Sequence, residues 1–131
     1  MNTRFLLACF AVFVLWMGVD FLFHGVLLVD SYQQTAALWR PEEEAKIGLY
    51  TLVVLGSAII FSTIYAFLVS PRSIRNAVLF GALFGTAGGL SFGYGMYAFM
   101  PLPHDMAITW FSSVLVEGVL GGLALGFILG K

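Results

Sequence analysis

Charge is scarce in this chain. Only 10% of its 131 residues are Asp, Glu, Lys or Arg, where a soluble domain carries about 25%. The formal net charge is −1, and no basic stripe runs through the sequence, which argues against a nucleic-acid partner. Cysteine is reduced to Cys9, which excludes an intrachain disulfide framework and any multi-cysteine metal site. The run Leu6-Leu7-Ala8-Cys9 superficially matches a lipoprotein cleavage box. The segment ahead of it is too short for a charged region plus an apolar stretch, so Cys9 is read as a small lipid- or core-facing residue. No Ser-His-Asp, zinc-helix or phosphate-loop pattern occurs. Gly93-Tyr94-Gly95 lies inside an apolar run, without the strand before it that a nucleotide loop needs, and reads as helix packing. The expectation is a protein that is not an enzyme.

What fills the chain instead is apolar: 60% of residues are hydrophobic and the mean hydropathy is +0.97. A hydrocarbon core of ~30 Å takes about 20 apolar residues per helix. Segments 5–29, 47–69, 77–100 and 106–129 meet that requirement. They predict an all-α, integral membrane four-helix up-down bundle in a single domain spanning 1–131. With their flanking turns, the helices cover about 5–29, 41–69, 72–100 and 105–130, with an outer loop over 30–40. Pro41 followed by Glu42, Glu43 and Glu44 suits a first helical turn and complements the helix dipole. Ser70-Pro71-Arg72-Ser73 makes a tight turn with capping residues. Met100-Pro101-Leu102-Pro103 ends the third helix, with Asp105 available to cap the fourth.

Arg4, Arg72, Arg75 and Lys131 share one side of this topology, against Arg40 and Lys46 on the other. The positive-inside rule then puts both termini in the cytoplasm. Tyr32, Trp39, Tyr50 and Trp110 fall near the outer interface, where amphipathic aromatics gather.

Two glycine ladders with a four-residue step stand out: Gly81, Gly85, Gly89, Gly93 and Gly118, Gly122, Gly126, Gly130. That step keeps them on one helical face, and a face stripped to backbone admits a close neighbour. Antiparallel packing of helices 3 and 4 is expected, with Gly93 level with Val114, Gly89 with Gly118, Gly85 with Gly122 and Gly81 with Gly126. Alternatively, one ladder binds a second copy or a larger membrane protein, or the glycines clear a slot for a porphyrin, quinone or carotenoid.

Asp20 and Glu117 lie inside apolar spans, where a charge costs about 2.5–3.5 kcal/mol on insertion scales. At 1.5 Å per residue, both sit ~14–17 Å from the outer surface. His24 is one turn outward of Asp20, and Ser113 one turn outward of Glu117. Ser57 and Ser91 fall near the same level. Asp20, His24, Ser57, Ser91, Ser113 and Glu117 are therefore the candidate polar pocket, opening outward past Trp110, Tyr94, Tyr97 and His24. A buried carboxyl can equally be protonated and simply hydrogen-bond a neighbour. Asp20, His24 and Glu117 supply three donors for a metal, though no tight motif supports one. His104 lies shallower than His24, a poor fit for paired haem ligation.

Asp20-Phe21-Leu22-Phe23-His24-Gly25, Tyr32, Leu38-Trp39-Arg40-Pro41, Trp110-Phe111 and Val116-Glu117-Gly118 together resemble a loose group of short bacterial membrane proteins. Those proteins are predicted to have four spans and carry no assigned activity. The resemblance extends over most of the chain and implies a bacterial inner-membrane location, multi-pass, without a mechanism. The chain differs from small multidrug exporters, whose helix 1 glutamate is absent here, Asp20 lying deeper. It also lacks the paired cysteines of mercury-uptake proteins. The leading expectation is an accessory or structural subunit of a larger membrane complex, or a homo-oligomer, surrounded by the lipid bilayer. The alternatives are a proton- or cation-coupled small transporter using the intramembrane acids, and a binder of a lipid-soluble cofactor. The residues name no particular cofactor.

Overall fold

The structure is a computed structural model and describes residues 2–130. Lys131, one of the basic residues invoked for orientation, lies outside the described residues. Among those described, the chain is all-helical, with four helices long and apolar enough to cross a membrane: Thr3–Leu27, Ile47–Leu68, Ile74–Phe99 and His104–Leu129.

Helix α1 (Thr3–Leu22) starts where the Asn2 side chain accepts the Arg4 N–H at 3.1 Å. It continues through a wider π turn, Phe23–Leu27, closed by the Leu28 N–H donating to the Phe23 carbonyl at 2.9 Å. A short helix α2 (Val29–Gln34) and two 3₁₀ turns, Ala36–Leu38 and Glu42–Glu44, cross the end of the bundle. Helix α3 runs Ile47–Leu68, so the second helix begins with its apolar span at Ile47 and not at Pro41. The triple-Glu turn is separated from it by extended backbone at Ala45, which breaks helical continuity.

The turn to the next helix is pinned by side chains. Ser73 Oγ accepts the Asn76 N–H at 3.2 Å, and Tyr65 O–H donates to the Ser73 carbonyl at 3.0 Å. Helix α4 (Ile74–Gly89) passes through a second π turn, Leu90–Tyr94, into α5 (Gly95–Phe99). Helix α6 (His104–Leu129) completes the chain. Its N-cap is Pro103, and Asp105 lies in the first turn without capping it.

Helix α1 packs on α3 and α6, and α6 packs on α4. The fourth seam, α3 against α4, is filled by aromatics: Phe61 stacks on Phe80 with centroids 4.7 Å apart and meets Phe84 edge-on at 5.0 Å.

The α4–α6 seam is the tightest. Gly81, Gly85, Gly89, Gly93, Gly118, Gly122 and Gly126 are all buried, and the two ladders face each other. A Cβ added to Gly85 would stand 2.8 Å from the Val114 carbonyl oxygen, and one on Gly89 2.7 Å from that of Phe111. A Cβ on Gly118 would meet the Gly85 Cα at 2.8 Å. Backbone thus touches backbone, bringing Cα–H groups against carbonyls, contacts worth about 0.5–1 kcal/mol each.

All four levels differ from the sequence reading. Gly81 lies against Gly118 and Gly122 instead of Gly126, Gly85 against Val114, Leu115 and Gly118 instead of Gly122, Gly89 against Phe111 instead of Gly118, and Gly93 against Ala107 and Phe111 instead of Val114. Residues 100–103 leave the helix end and include the extended Met100 and Pro103. Extended chain covers about twice the length of helix per residue, so lower-numbered residues of α6 reach each level. Gly130 leaves the ladder altogether, because α6 ends at Leu129 and Gly130 is its extended C-cap.

Candidate functional site

Two apolar clusters divide the interior. One, toward the termini and the 70–73 turn, contains Ala8, Val12, Trp16, Val54, Ala58, Phe61, Tyr65, Ala77 and Leu125. The other caps the opposite, loop-bearing end with Leu28, Leu102, Met106 and Trp110, packed against Tyr32 and Trp39. Tyr32, Trp39 and Trp110 meet edge-on with centroids 5.4 and 5.9 Å apart, and Phe92 stacks on Trp110 at 4.7 Å. Trp110 is only 2% exposed, so it is a core residue of this cap and not an interface anchor.

Between the two clusters runs a chain of polar groups from four elements. The Trp110 indole N–H donates to Tyr32 Oη at 2.9 Å. An indole nitrogen only donates, so the Tyr32 hydroxyl keeps its own proton for His24 Nδ1, 2.6 Å away. That leaves the neutral ring's proton on Nε2, which faces Asp20 Oδ1 at 3.7 Å. Asp20 Oδ2 accepts the Tyr50 hydroxyl. The Glu117 side chain lies near Asp20, where α6 packs on α1. The series is thus Trp110, Tyr32, His24, Asp20 and Glu117, with Tyr50 entering at Asp20.

Local structure explains the placement. His24 follows Asp20 by one turn, in the π turn Phe23–Leu27 that continues α1, and lies beneath α2, whose Tyr32 hangs over it. Such turns recur at functional positions in helices. Tyr50 sits in the first turn of α3, so along that helix the carboxyl pair is one side chain's length from the loop end. Asp20 is 15% and His24 28% exposed, and Tyr50 is 40% exposed. The site therefore opens along the α1–α3 seam.

On its inner side the site is closed. The Trp16 indole donates to the Glu117 backbone carbonyl at 2.7 Å and stacks obliquely on Phe61 at 5.1 Å. Gly121 makes room for this, since a Cβ there would lie 3.0 Å from both Trp16 Nε1 and Phe61.

Of the six residues proposed from sequence, Asp20, His24 and Glu117 come together. Ser113 is 1% exposed and lies between Trp110 and Glu117 on the same face of α6, its hydroxyl bonded to nothing. Ser57 and Ser91 do not join them, as both are on the exposed outside. Ser57 is one residue, or about 100°, from the buried Ala58, and Ser91 is two residues from the buried Gly89 and Gly93. Tyr94 and Tyr97 also lie elsewhere, in a cluster where Tyr94 Oη is 3.2 Å from His104 Nε2. With His104 engaged there and His24 bonded to Tyr32, the two histidines belong to separate clusters.

Sequence reasoning missed Tyr50, Trp16 and Gly121 as site residues. The adjacent glycines at 121 and 122 carried a signal, since a pair serves two neighbouring faces of a helix. Among the described residues no three His, Cys, Asp or Glu side chains are arranged to hold a metal ion. The two ladders fill each other's space, which leaves no slot between α4 and α6 for a flat ligand. No known protein family matches the chain, and comparison with curated proteins and with solved structures likewise found no match.

Proposed function

We propose that this chain is a multi-pass protein of the bacterial inner membrane that takes up protons from its loop-bearing side and holds them at the Asp20–Glu117 pair. The observation that carries the reading is the line of proton-bearing groups in which Tyr32 bonds His24, His24 Nε2 stands 3.7 Å from Asp20 Oδ1, and Glu117 lies beside Asp20. Two neighbouring carboxylates repel, and one shared proton removes that repulsion. Titratable groups inside apolar spans are expensive and commonly mark proton routes. The titratable groups nearest the pair are His24 in the π turn, Tyr50 on α3 and Tyr32 on α2. The other acids, Asp30, Glu42, Glu43, Glu44 and Asp105 in the first turn of α6, all lie at the loop-bearing end, where they raise the local concentration of cations and protons. Arg4, Arg72 and Arg75 lie at the other end, which the positive-inside rule makes cytoplasmic. Trp16 and Phe61 seal the pair from that side, so full transport takes a second conformation in which they part.

The test is proton uptake by the purified protein in liposomes, read with an internal pH dye. Asp20→Asn and Glu117→Gln are expected to abolish it while leaving helical content unchanged by circular dichroism. Unchanged flux in both variants, or no flux in the parent protein, overturns the proposal.

A second reading makes the chain an integral subunit of a larger membrane complex, or of a homo-oligomer. It draws on an open apolar groove of about 250 Å³ between α1 and α3, lined by Phe5, Leu6, Cys9, Phe10, Leu55 and Ile59. A protein that runs only as a lone monomer after gentle solubilisation rules it out.

A further inference from the structure

We propose that residues 29–46, which join α1 to α3, form an acid-released strap. It closes the loop-bearing end of the bundle while His24 is neutral and lifts when His24 takes up a proton. The proposal rests on the hydrogen bonds of Tyr32 and requires nothing of Glu117.

The strap is held down at few points. No residue in 29–46 is buried: Ser31, Tyr32, Thr35 and Trp39 are half-buried and the others are exposed. Its last part, 40–46, is exposed throughout, with extended backbone at Ala45. A stretch so poor in buried contacts opens at lower cost than the helices it joins. Two of its side-chain hydrogen bonds are internal. The Trp39 indole donates to Thr35 Oγ1 at 2.8 Å, and the Thr35 hydroxyl to the Ser31 carbonyl at 2.7 Å. Thr35 also has a long contact with Met106 Sδ, at 3.9 Å. Among the described residues, the other side-chain hydrogen bonds from strap to bundle both belong to Tyr32. It accepts from Trp110 at 2.9 Å and donates to His24 Nδ1 at 2.6 Å. Trp39 packs edge-on against both Tyr32 and Trp110, so the aromatic cap depends on Tyr32 being in place.

Only a neutral ring can accept that bond at Nδ1. Its own proton is on Nε2, so a second proton goes to Nδ1 and leaves the imidazolium with two donors and no acceptor. N–H groups of His24 and Trp110 then face one phenol oxygen, and the Tyr32 proton is left without its acceptor. The new charge also draws the ring the other way, toward Asp20 Oδ1, 3.7 Å from Nε2. Both changes loosen the strap. The titratable groups around the ring are Asp20 on α1, Tyr32 on α2, Tyr50 on α3, which bonds Asp20, and Glu117 on α6, beside Asp20. Among these, the imidazole is the group that ordinarily changes charge between about pH 5 and 8. Lifting the strap uncovers His24 and the top of the polar series to the loop-bearing side.

The experiment is pulsed EPR on the full chain in nanodiscs between pH 8 and 5. Spin labels are carried at Ala37→Cys in the strap and Phe127→Cys at the far end of α6, in a Cys9→Ser background. One narrow distance is expected at pH 8. At pH 5 a second, broader population is expected, which reverts on return to pH 8. Its ratio to the first rises by up to about tenfold per pH unit, as for a single proton. His24→Gln keeps an oxygen for Tyr32 to donate to and gains no proton, so it is expected to hold the narrow distance down to pH 5. Tyr32→Phe is expected to be broad at both pH values, and His104→Gln to respond like the parent. A parent distance unchanged by acid, a change that does not reverse, or His24→Gln opening like the parent each overturns the strap. So does a narrow distance in Tyr32→Phe, or a response lost with His104. If the strap fails while Asp20→Asn and Glu117→Gln still abolish proton uptake, the proton reading stands alone. If the strap opens as expected while those variants leave uptake intact, the strap stands and the proton reading falls.

Discussion

Tyr32 holds the polar series together at the residue level. Its oxygen accepts from Trp110 and its proton goes to His24, so one phenol fixes both the direction of the chain and the histidine tautomer. Burial pushes this phenol above its ordinary value of 10.0; the Trp110 hydrogen bond opposes that rise and the nearby Asp20 charge adds to it. A pKa raised on folding means the folded state holds the proton more tightly. The resulting stabilisation is complete below pH 10 and disappears as the pH rises through the folded value. Tyr32→Phe is accordingly expected to flatten the fall in Tm above pH 10, in a pH series of melting curves. An identical alkaline fall in parent and variant contradicts this. Asp20 and Glu117 were legible in the sequence because ionisable groups in apolar runs are rare and costly. Tyr50 and Trp16 were not, since an aromatic residue in such a run looks like any other until a neighbouring helix gives it a partner.

At the scale of the helix, the ladders show how a repeat sets a distance without setting a register. A step of four glycines guarantees a bare face. It leaves the partner residue open, because sliding antiparallel ladders by one step preserves most glycine-on-backbone contacts. The extended stretch at 100–103 makes the choice, bringing Gly81 onto Gly118 and Gly122. Gly85→Leu is expected to drive α4 from α6 and to cost more than the ~1–3 kcal/mol typical of an overpacked core. Gly18→Leu and Gly56→Leu, where an added Cβ meets nothing within 4 Å, are expected to stay within about 0.5 kcal/mol of the parent. Reversible unfolding in mixed micelles reads all three. Equal losses at Gly85 and Gly18 would show that glycine content, and not contact, matters. The two π turns were invisible beforehand, because no residue type encodes them as proline encodes a kink.

Taken whole, the molecule is a polar layer held between an aromatic cap and a larger apolar core. Its two ends differ in charge: all acids but Asp20 and Glu117 gather at the loop-bearing end, with Arg40 and Lys46, while Arg4, Arg72 and Arg75 occupy the other. Under the proposed orientation, a reporter fused to either terminus registers the cytoplasm, and one inserted between Gln34 and Arg40 registers the outside. Opposite signals from the two termini would remove the even number of crossings and the one-sided access with it. The polar layer reaches the surface sideways, along the α1–α3 seam where Tyr50 is exposed, and stops at Trp16 and Phe61.

Hydropathy alone dictated four apolar helices and their alternating directions, because each span must satisfy its backbone internally and short turns force neighbours to run antiparallel. It also marked Asp20 and Glu117 as anomalies and the ladders as contact faces. Which carboxyl meets which phenol, which serines turn outward and which hydroxyl is left without a partner depended on how far each helix slides and rotates against the next. Those quantities arise from the extended 100–103 segment, the π turns and the late start of α3, all of which act between helices and leave no periodic trace along any one of them.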